Sequence, residues 1–346
     1  MGKFRIVCKL CGLQIERSTS ADSTKFQPTM PFSFHDSPLE LIPEHPGKAR
    51  GISLFIKRDD LLHPEIEGSK GRKLAAVLPQ IKELYPEGLV TFGGAFSNHL
   101  HAVAVAGRIF GIRTLGILRG EYADLQNPTL LACQVNGMEL IRWPKAKYDA
   151  FKEQCAPMLE PEFKDRFFLP EGGNTPEAVA ACMAIPKEML HQLPIECAGR
   201  PLFICTPAGT GCTAAGIVAG LHSPNAEVLI FPVSSHHFDD ATIQALLPKG
   251  SGPAPSFRLV HEYTFGGFAR LHPPVMDFVR RFYQQTNILP DPIYTGKMLF
   301  GVYDKLEKAA FPEESTVVVL HTGGLQGWAG FQQRFGQAGI VKILTP

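Results

Sequence analysis

From Pro31 onward, short apolar runs rich in β-prone residues alternate with stretches whose apolar positions recur at helical spacing. Ile52–Ile56 reads as a strand, residues 71–84 as a helix, and Leu89–Phe92 as a strand that breaks at Gly93-Gly94. A helix over 98–110 and a strand over Arg113–Leu118 follow. The cycle returns with a strand at Leu202–Thr206, a glycine-bearing loop at Pro207–Cys212 and an alanine-rich helix over 213–221. Glu227–Val233 and Ser315–His321 are continuous apolar runs, the pattern of strands buried on both faces. Strands alternating with helices predict right-handed crossovers and mostly parallel sheets flanked by helices, an α/β fold.

Two stretches stand outside this pattern. Residues 1–30 are polar, bear Thr and Ser without clear periodicity, and read as an N-terminal extension. The segment around Lys249–Pro255 is rich in Gly, Pro and Ser and reads as a surface loop. A length of 346 residues with 45% hydrophobic content suits two domains with ample core. The formal net charge of +1, without a long basic run, gives no electrostatic footprint for nucleic acid. No apolar stretch approaches a membrane span, and the first residues lack the pattern of a secretory signal. Eight cysteines scattered through apparent core segments suit reduced thiols in the cytoplasm better than a disulfide framework. Cys8 and Cys11 form a C-x-x-C, but no second pair follows at a spacing that would complete a zinc site.

The candidate chemistry begins at Glu67-Gly68-Ser69-Lys70-Gly71-Arg72-Lys73-Leu74, where a lysine sits between two glycines at a helix start. The positive helix end and like-charge repulsion from Arg72 and Lys73 are expected to push the Lys70 amine toward its neutral, nucleophilic form. A neutral amine is what a Schiff base with an aldehyde cofactor requires. The other clusters fall at strand ends, where open parallel sheets bind ligands. In Ala208-Gly209-Thr210-Gly211-Cys212-Thr213, glycines admit an anion to backbone N–H groups, Thr210 and Thr213 offer hydroxyls, and a helix start follows. Gly209-x-Gly211-x-x-Ala214 also fits a dinucleotide fingerprint, but the next strand ends in Ser234-Ser235-His236 and not in an acidic residue, which counts against a nicotinamide oxidoreductase. In Gly93-Gly94-Ala95-Phe96-Ser97-Asn98-His99, Ser97 or Asn98 could cap a helix or hold a carboxylate or phenolic oxygen. His99 and His101 lie close by without a third ligand for a metal. Asp291-Pro292-Ile293-Tyr294-Thr295-Gly296-Lys297 and His321-Thr322-Gly323-Gly324 complete the set.

Together with Lys57-Arg58-Asp59-Asp60 and Pro170-Glu171-Gly172-Gly173, and in this order, these motifs resemble the tryptophan synthase β-like, fold type II pyridoxal-phosphate enzymes. More narrowly they resemble the 1-aminocyclopropane-1-carboxylate deaminase and D-cysteine desulfhydrase family, from about Ser37 to Gly330. The resemblance implies two open, mostly parallel sheets, with a large cofactor domain at 31–84 plus 191–346 and a smaller mobile domain at 85–190. It implies pyridoxal 5'-phosphate bound covalently by Lys70, which also takes the substrate Cα proton. Asn98 would bond the phenolic oxygen. Gly209, Thr210, Gly211, Cys212 and Thr213 would bind the phosphate. Tyr294 would lie against the pyridine ring and Thr322 would meet its nitrogen. Ser97, with Asn98 and His99, would hold the substrate, with Phe268 near it. The resemblance further implies a small amino-acid substrate and a homodimer.

The departures separate the two named activities. Thr295 stands where the deaminases carry a glutamate, and Phe268 where they carry a second active-site tyrosine. Phe96 replaces the glutamine that precedes Ser-Asn in desulfhydrases, and Ser69 an asparagine. A neutral Thr322 beside the ring nitrogen makes a milder electron sink, suited to α,β-elimination. D-Cysteine is therefore the expected substrate, giving pyruvate, hydrogen sulfide and ammonia. Ring opening of 1-aminocyclopropane-1-carboxylate, amino-acid racemisation and a non-catalytic pyridoxal-phosphate-binding protein are the alternatives.

Overall fold

The structure is a computed structural model that describes residues 2–8, 13–19, 36–154, 163, 165–234, 238–249 and 256–336. In chain order it runs β1 (Gly2–Cys8), β2 (Leu13–Thr19), β3 (Leu39–Ile42), β4 (Ser53–Lys57), α1 (Ser69–Leu84), β5 (Leu89–Gly93) and α2 (Asn98–Phe110). Next come β6 (Thr114–Arg119), α3 (Pro128–Val135), β7 (Glu139–Trp143), α4 (Lys145–Gln154), β8 (Phe167–Leu169), α5 (Pro176–Cys182) and α6 (Ala184–Gln192). The remainder is β9 (Leu202–Ala208), α7 (Cys212–Gly220), β10 (Ala226–Pro232), α8 (Asp240–Leu246), β11 (Ser256–Leu259), α9 (Pro273–Thr286), α10 (Thr295–Glu307), β12 (Thr316–Leu320) and α11 (Gly327–Phe335).

Six strands form one sheet in the order β11-β10-β9-β12-β4-β3, and four form another in the order β7-β6-β5-β8. All neighbours are parallel except β3, which runs antiparallel to β4 at one edge. The apolar runs are buried on both faces because successive side chains point to opposite sides of a strand. Leu54, Ile56, Val317 and Val319 pack under α9 and α10, while Phe55, Val318 and Leu320 pack on the other face with α5 and α7. The smaller sheet repeats the arrangement. Leu89 and Leu118 meet α1, α2 and α3 on one side, and Phe92, Ile117 and Trp143 meet Tyr148 and Phe151 of α4 on the other.

The chain is thus an α/β protein of two open, mostly parallel sheets flanked by helices. Helix α1 links the two sheets: Leu74, Val77, Leu78 and Ile81 pack in the core of the four-stranded sheet. Its Arg72 bonds Asp59 at 2.8 Å and Glu188 of α6 at 2.6 Å.

The N-terminal stretch departs from the sequence reading. Strands β1 and β2 pair antiparallel, with Ile6 opposite Ile15 and Cys8 opposite Leu13. The alternation Phe4-Ile6 and Leu13-Ile15 is the signal of that pairing, diluted by the polar residues around it. Cys11, Ser235, His236 and residues 250–255 lie outside the described residues.

Candidate active site

Both sheets direct the carboxyl ends of their parallel strands toward one cavity of about 490 Å³. It is lined by Lys70, Ser97, Asn98, His99, Gly209, Thr210, Gly211, Cys212, Thr213, Phe268, Tyr294 and Thr322, so every site residue expected from sequence reaches it. Six separate segments converge there.

Lys70 is the second residue of α1 and is held at the cavity wall by an unusual backbone. Gly68 precedes the helix at φ 64°, and a Cβ there would stand 1.8 Å from the Thr322 carbonyl oxygen. Only glycine lets the start of α1 lie against the His321–Gly324 turn. Glu67 fastens the same junction, accepting hydrogen bonds from Gly324 N at 2.8 Å and Leu325 N at 2.7 Å. Burial, followed by the neighbouring Lys73 ammonium, lowers the Lys70 amine to about 8. Arg72, which the sequence reading expected to act alongside Lys73, is not among the main causes. Its guanidinium is paired with Asp59 and Glu188, and Glu188 is in turn 3.0 Å from the fully buried Lys57.

The glycine loop after β9 opens onto α7. Gly211 takes φ 88° at the N-cap, and the first-turn N–H groups of α7 have no intrahelical partners. Tyr294 covers the loop: a Cβ on Gly209 would lie 3.2 Å from its ring, so glycine is what admits the aromatic. Burial, with Asp291 and Glu171 adding to it, pushes the Tyr294 hydroxyl well above its ordinary value, so it is a phenol at neutral pH. Asp291 fixes the turn by accepting from Ile293 N, Tyr294 N and Thr295 N at 2.9, 2.7 and 2.7 Å.

Ser97 is the N-cap of α2 and accepts from Leu100 N at 3.2 Å, so its capping role is realised while its own hydroxyl hydrogen stays available. His99 is buried, 2.8 Å from the Thr91 hydroxyl. That hydroxyl donates to Leu169 O at 2.8 Å, so it accepts from His99 Nε2–H. His99 Nδ1 is therefore an unprotonated acceptor, buried without a partner among the described residues. Burial, Lys70 and Lys73 hold the imidazole neutral, well below its usual range.

Phe268 stands at the rim, 45% exposed, edge-on to Tyr294 with ring centroids 5.9 Å apart. Lys297 ties its loop down by donating to Thr264 O and Gly267 O at 2.8 and 2.7 Å. Thr295 is fully buried and is not among the residues lining the cavity.

Lys73, Glu67 and Gln326 are among the lining residues that the sequence reading left without a role. Lys73 could have been found from its spacing, because i and i+3 share a helix face with Lys70. Glu67 and Gln326 act across 257 and 228 positions, through contacts that no local pattern encodes. Among the described residues no group of three or more His, Cys, Asp or Glu could hold a metal ion. No helix among them is long and apolar enough to cross a membrane.

The chain belongs to the family of pyridoxal-phosphate dependent enzymes, which it matches over residues 33–323. It is 26% identical over 302 residues to a Pyrococcus horikoshii protein provisionally named 1-aminocyclopropane-1-carboxylate deaminase, covering 84% of this chain and 90% of that one. It is 27% identical over 302 residues to the mitochondrial bifunctional D-cysteine desulfhydrase/1-aminocyclopropane-1-carboxylate deaminase of Arabidopsis thaliana, covering 82% and 75%. The fold matches the crystal structure of an ACC deaminase homologue with a TM-score of 0.72 at 23% identity, covering 87% of this chain and 93% of that one. The cofactor is pyridoxal phosphate, and the site suits it. A helix start behind a glycine cradle, the Lys73 cation, an amine near its titration point and an orphaned acceptor on His99 share one cavity.

Proposed function

We propose that this enzyme removes the Cα proton and the β-substituent of a small D-amino acid, converting D-cysteine and water to pyruvate, hydrogen sulfide and ammonia. The observation that carries this reading is the Lys70 amine, lowered to about 8, facing the same cavity as the glycine loop, Ser97 and Thr322. Bound pyridoxal phosphate supplies an electron sink for charge developing at the substrate Cα.

In this reading the first-turn N–H groups of α7, the hydroxyls of Thr210 and Thr213, and the Lys73 ammonium hold the phosphate. Asn98 meets the phenolic oxygen, Thr322 the pyridine nitrogen, and Tyr294 the ring face. Lys70 binds the cofactor and takes the Cα proton; an amine that titrates near 8 can both hold and release it at neutral pH. Ser97 donates its free hydroxyl hydrogen to the substrate carboxylate.

The acid side of the site favours loss of sulfur over opening of a carbon ring. A departing thiolate carries its own charge, whereas a departing carbanion must be protonated as it leaves. Thr295 is buried away from the cavity and Phe268 carries no hydroxyl. The Arabidopsis relative is named for both activities, so the two substrates belong in one experiment. Pyruvate from D-cysteine without 2-oxobutyrate from 1-aminocyclopropane-1-carboxylate supports elimination. The reverse result moves the assignment to ring opening. Wild-type pyruvate release by Lys70→Ala removes the mechanism altogether.

We carry over a homodimer, a smaller mobile unit around the four-stranded sheet, and a cytoplasmic location as parts of the same reading. Free Cys133, Cys182, Cys197, Cys205 and Cys212 are in keeping with a reducing compartment.

A further inference from the structure

Three helix starts meet at one edge of the cavity. Thr129 is in the first turn of α3, Gln326 is the N-cap position of α11, and Asn98 is the first residue of α2. Their side chains form a directed chain of hydrogen bonds. The Thr129 hydroxyl donates to Gln326 Oε1 at 3.3 Å, and Gln326 Nε2 donates to Asn98 Oδ1. A primary amide has one acceptor and one donor end, so fixing one end fixes the other. With its oxygen held by Gln326, Asn98 turns its NH₂ group away from Gln326. That Nδ2 makes no hydrogen bond to another described residue, and it stands only 2.6 Å from where a Cβ on Gly324 would be. Gly324 thus leaves open the space that this orientation of the amide requires.

We propose that Gln326, oriented by Thr129, is a positioning residue that holds Asn98 with its NH₂ group toward the phenolic oxygen of pyridoxal phosphate. This rests on the assignment of Asn98 to that oxygen and adds to it what sets the amide's direction. An anionic phenolic oxygen needs a donor, and an amide free to rotate offers its own oxygen part of the time. Thr129 and Asn98 flank the four-stranded sheet, whereas Gln326 follows β12 of the six-stranded one. The grip on the cofactor therefore depends on how the two sheets meet.

The test measures affinity of the apoenzyme for pyridoxal phosphate and the pH at which its visible absorption band changes. It compares wild type, Asn98→Ala, Gln326→Leu, Gln326→Glu, Asn98→Ala/Gln326→Leu, Thr129→Val and Thr129→Ser. Gln326→Leu is expected to weaken binding about fivefold to tenfold, the loss of one oriented hydrogen bond. Gln326→Glu is expected to weaken it further, because a carboxylate attracts the Asn98 NH₂ group and turns the amide oxygen toward the cofactor. Thr129→Val should follow Gln326→Leu in direction, and Thr129→Ser should behave as wild type.

In the Asn98→Ala background, Gln326→Leu should have no further effect, because Gln326 acts through Asn98. An equal loss in both backgrounds overturns the positioning role. Wild-type binding and band titration by both Gln326 variants, with Asn98→Ala impaired, overturn it while leaving the Asn98 assignment intact. Wild-type behaviour of Asn98→Ala removes that assignment and the inference with it.

Discussion

A Cβ placed on Gly68 would stand 1.8 Å from the Thr322 carbonyl oxygen, which makes the start of α1 and the turn after β12 a single joined surface. The contact carries Lys70 on one side and the Thr322 hydroxyl on the other, so the two are placed by the same glycine. Gly68→Ala is expected to separate them, with the added cost of an alanine at φ 64°. Together these should reduce stability by roughly 2–4 kcal/mol. Thermal unfolding should show the loss, and the purified variant should fail to develop the visible band of bound pyridoxal phosphate. A variant that melts and binds like wild type would show that the junction is not needed.

Capture of an aldehyde by Lys70 requires the neutral amine. With the amine lowered to about 8, its neutral fraction rises through neutral pH and levels off above that value. The rate of reaction of apoenzyme with pyridoxal should therefore rise about tenfold per pH unit below the midpoint and become flat beyond it. Pyridoxal is the suitable probe because it lacks the phosphate that Lys73 is proposed to meet. Lys73→Met removes the second-largest cause of the shift, so the midpoint should move upward. The sign for stability follows from proton counting. Between 8 and the ordinary 10.5 the unfolded chain binds more protons at this lysine, so its contribution to apoenzyme stability rises with pH. A rate independent of pH, or a midpoint unmoved in Lys73→Met, would contradict this account.

The strands and helices that carry the site were legible because each has one dominant periodicity. Val317 to Leu320 is apolar at every position, as a strand buried on both faces must be, and α2 begins where Ser97 can cap it. The site residues were legible because glycine, lysine and hydroxyl residues cluster at strand ends, where the chain turns toward the cavity. The charge on Arg72 was misjudged for a reason of distance. Its partners Asp59 and Glu188 lie 13 and 116 positions away, and only folding converts a repulsive neighbour into a neutralised one. Thr295 follows Tyr294 directly, yet α10 begins there and turns its side chain into the core.

That paired cluster has a testable cost of its own. Glu188 accepts from Arg72 through both oxygens and lies 3.0 Å from Lys57, whose side chain is 0% exposed. Burial works against its ionised form, but the bonds and charges of Arg72 and Lys57 prevail and hold the carboxyl below its ordinary value. Glu188→Ala would leave a buried ammonium with one partner fewer, which should cost about 3–5 kcal/mol. The contribution is present above the unfolded carboxyl value and is lost as pH falls through the lowered folded one. Wild type should therefore lose stability on acidification, while Glu188→Ala should be less stable at neutral pH and show a shallower acid dependence. Equal melting temperatures for the two proteins at pH 7 would remove the cluster from the account.

Phe268 and Thr295 occupy the two positions where ring-opening relatives are expected to carry acidic groups, but the structure makes them unequal. Phe268 is half exposed at the cavity rim beside Tyr294, so a hydroxyl added by Phe268→Tyr meets open space. Stability should change by no more than roughly 0.5 kcal/mol. A second phenolic acid then lines the cavity beside Tyr294, and 2-oxobutyrate release from 1-aminocyclopropane-1-carboxylate should rise while pyruvate release from D-cysteine is kept. Thr295 is 0% exposed and its hydroxyl has no hydrogen-bond partner among the described residues. Thr295→Glu would bury a carboxylate in the core, and a melt should show a loss of several kcal/mol with no gain in ring opening. If Thr295→Glu folds normally and opens the ring while Phe268→Tyr does neither, the acid belongs at position 295 and the cavity wall has been drawn on the wrong side of α10.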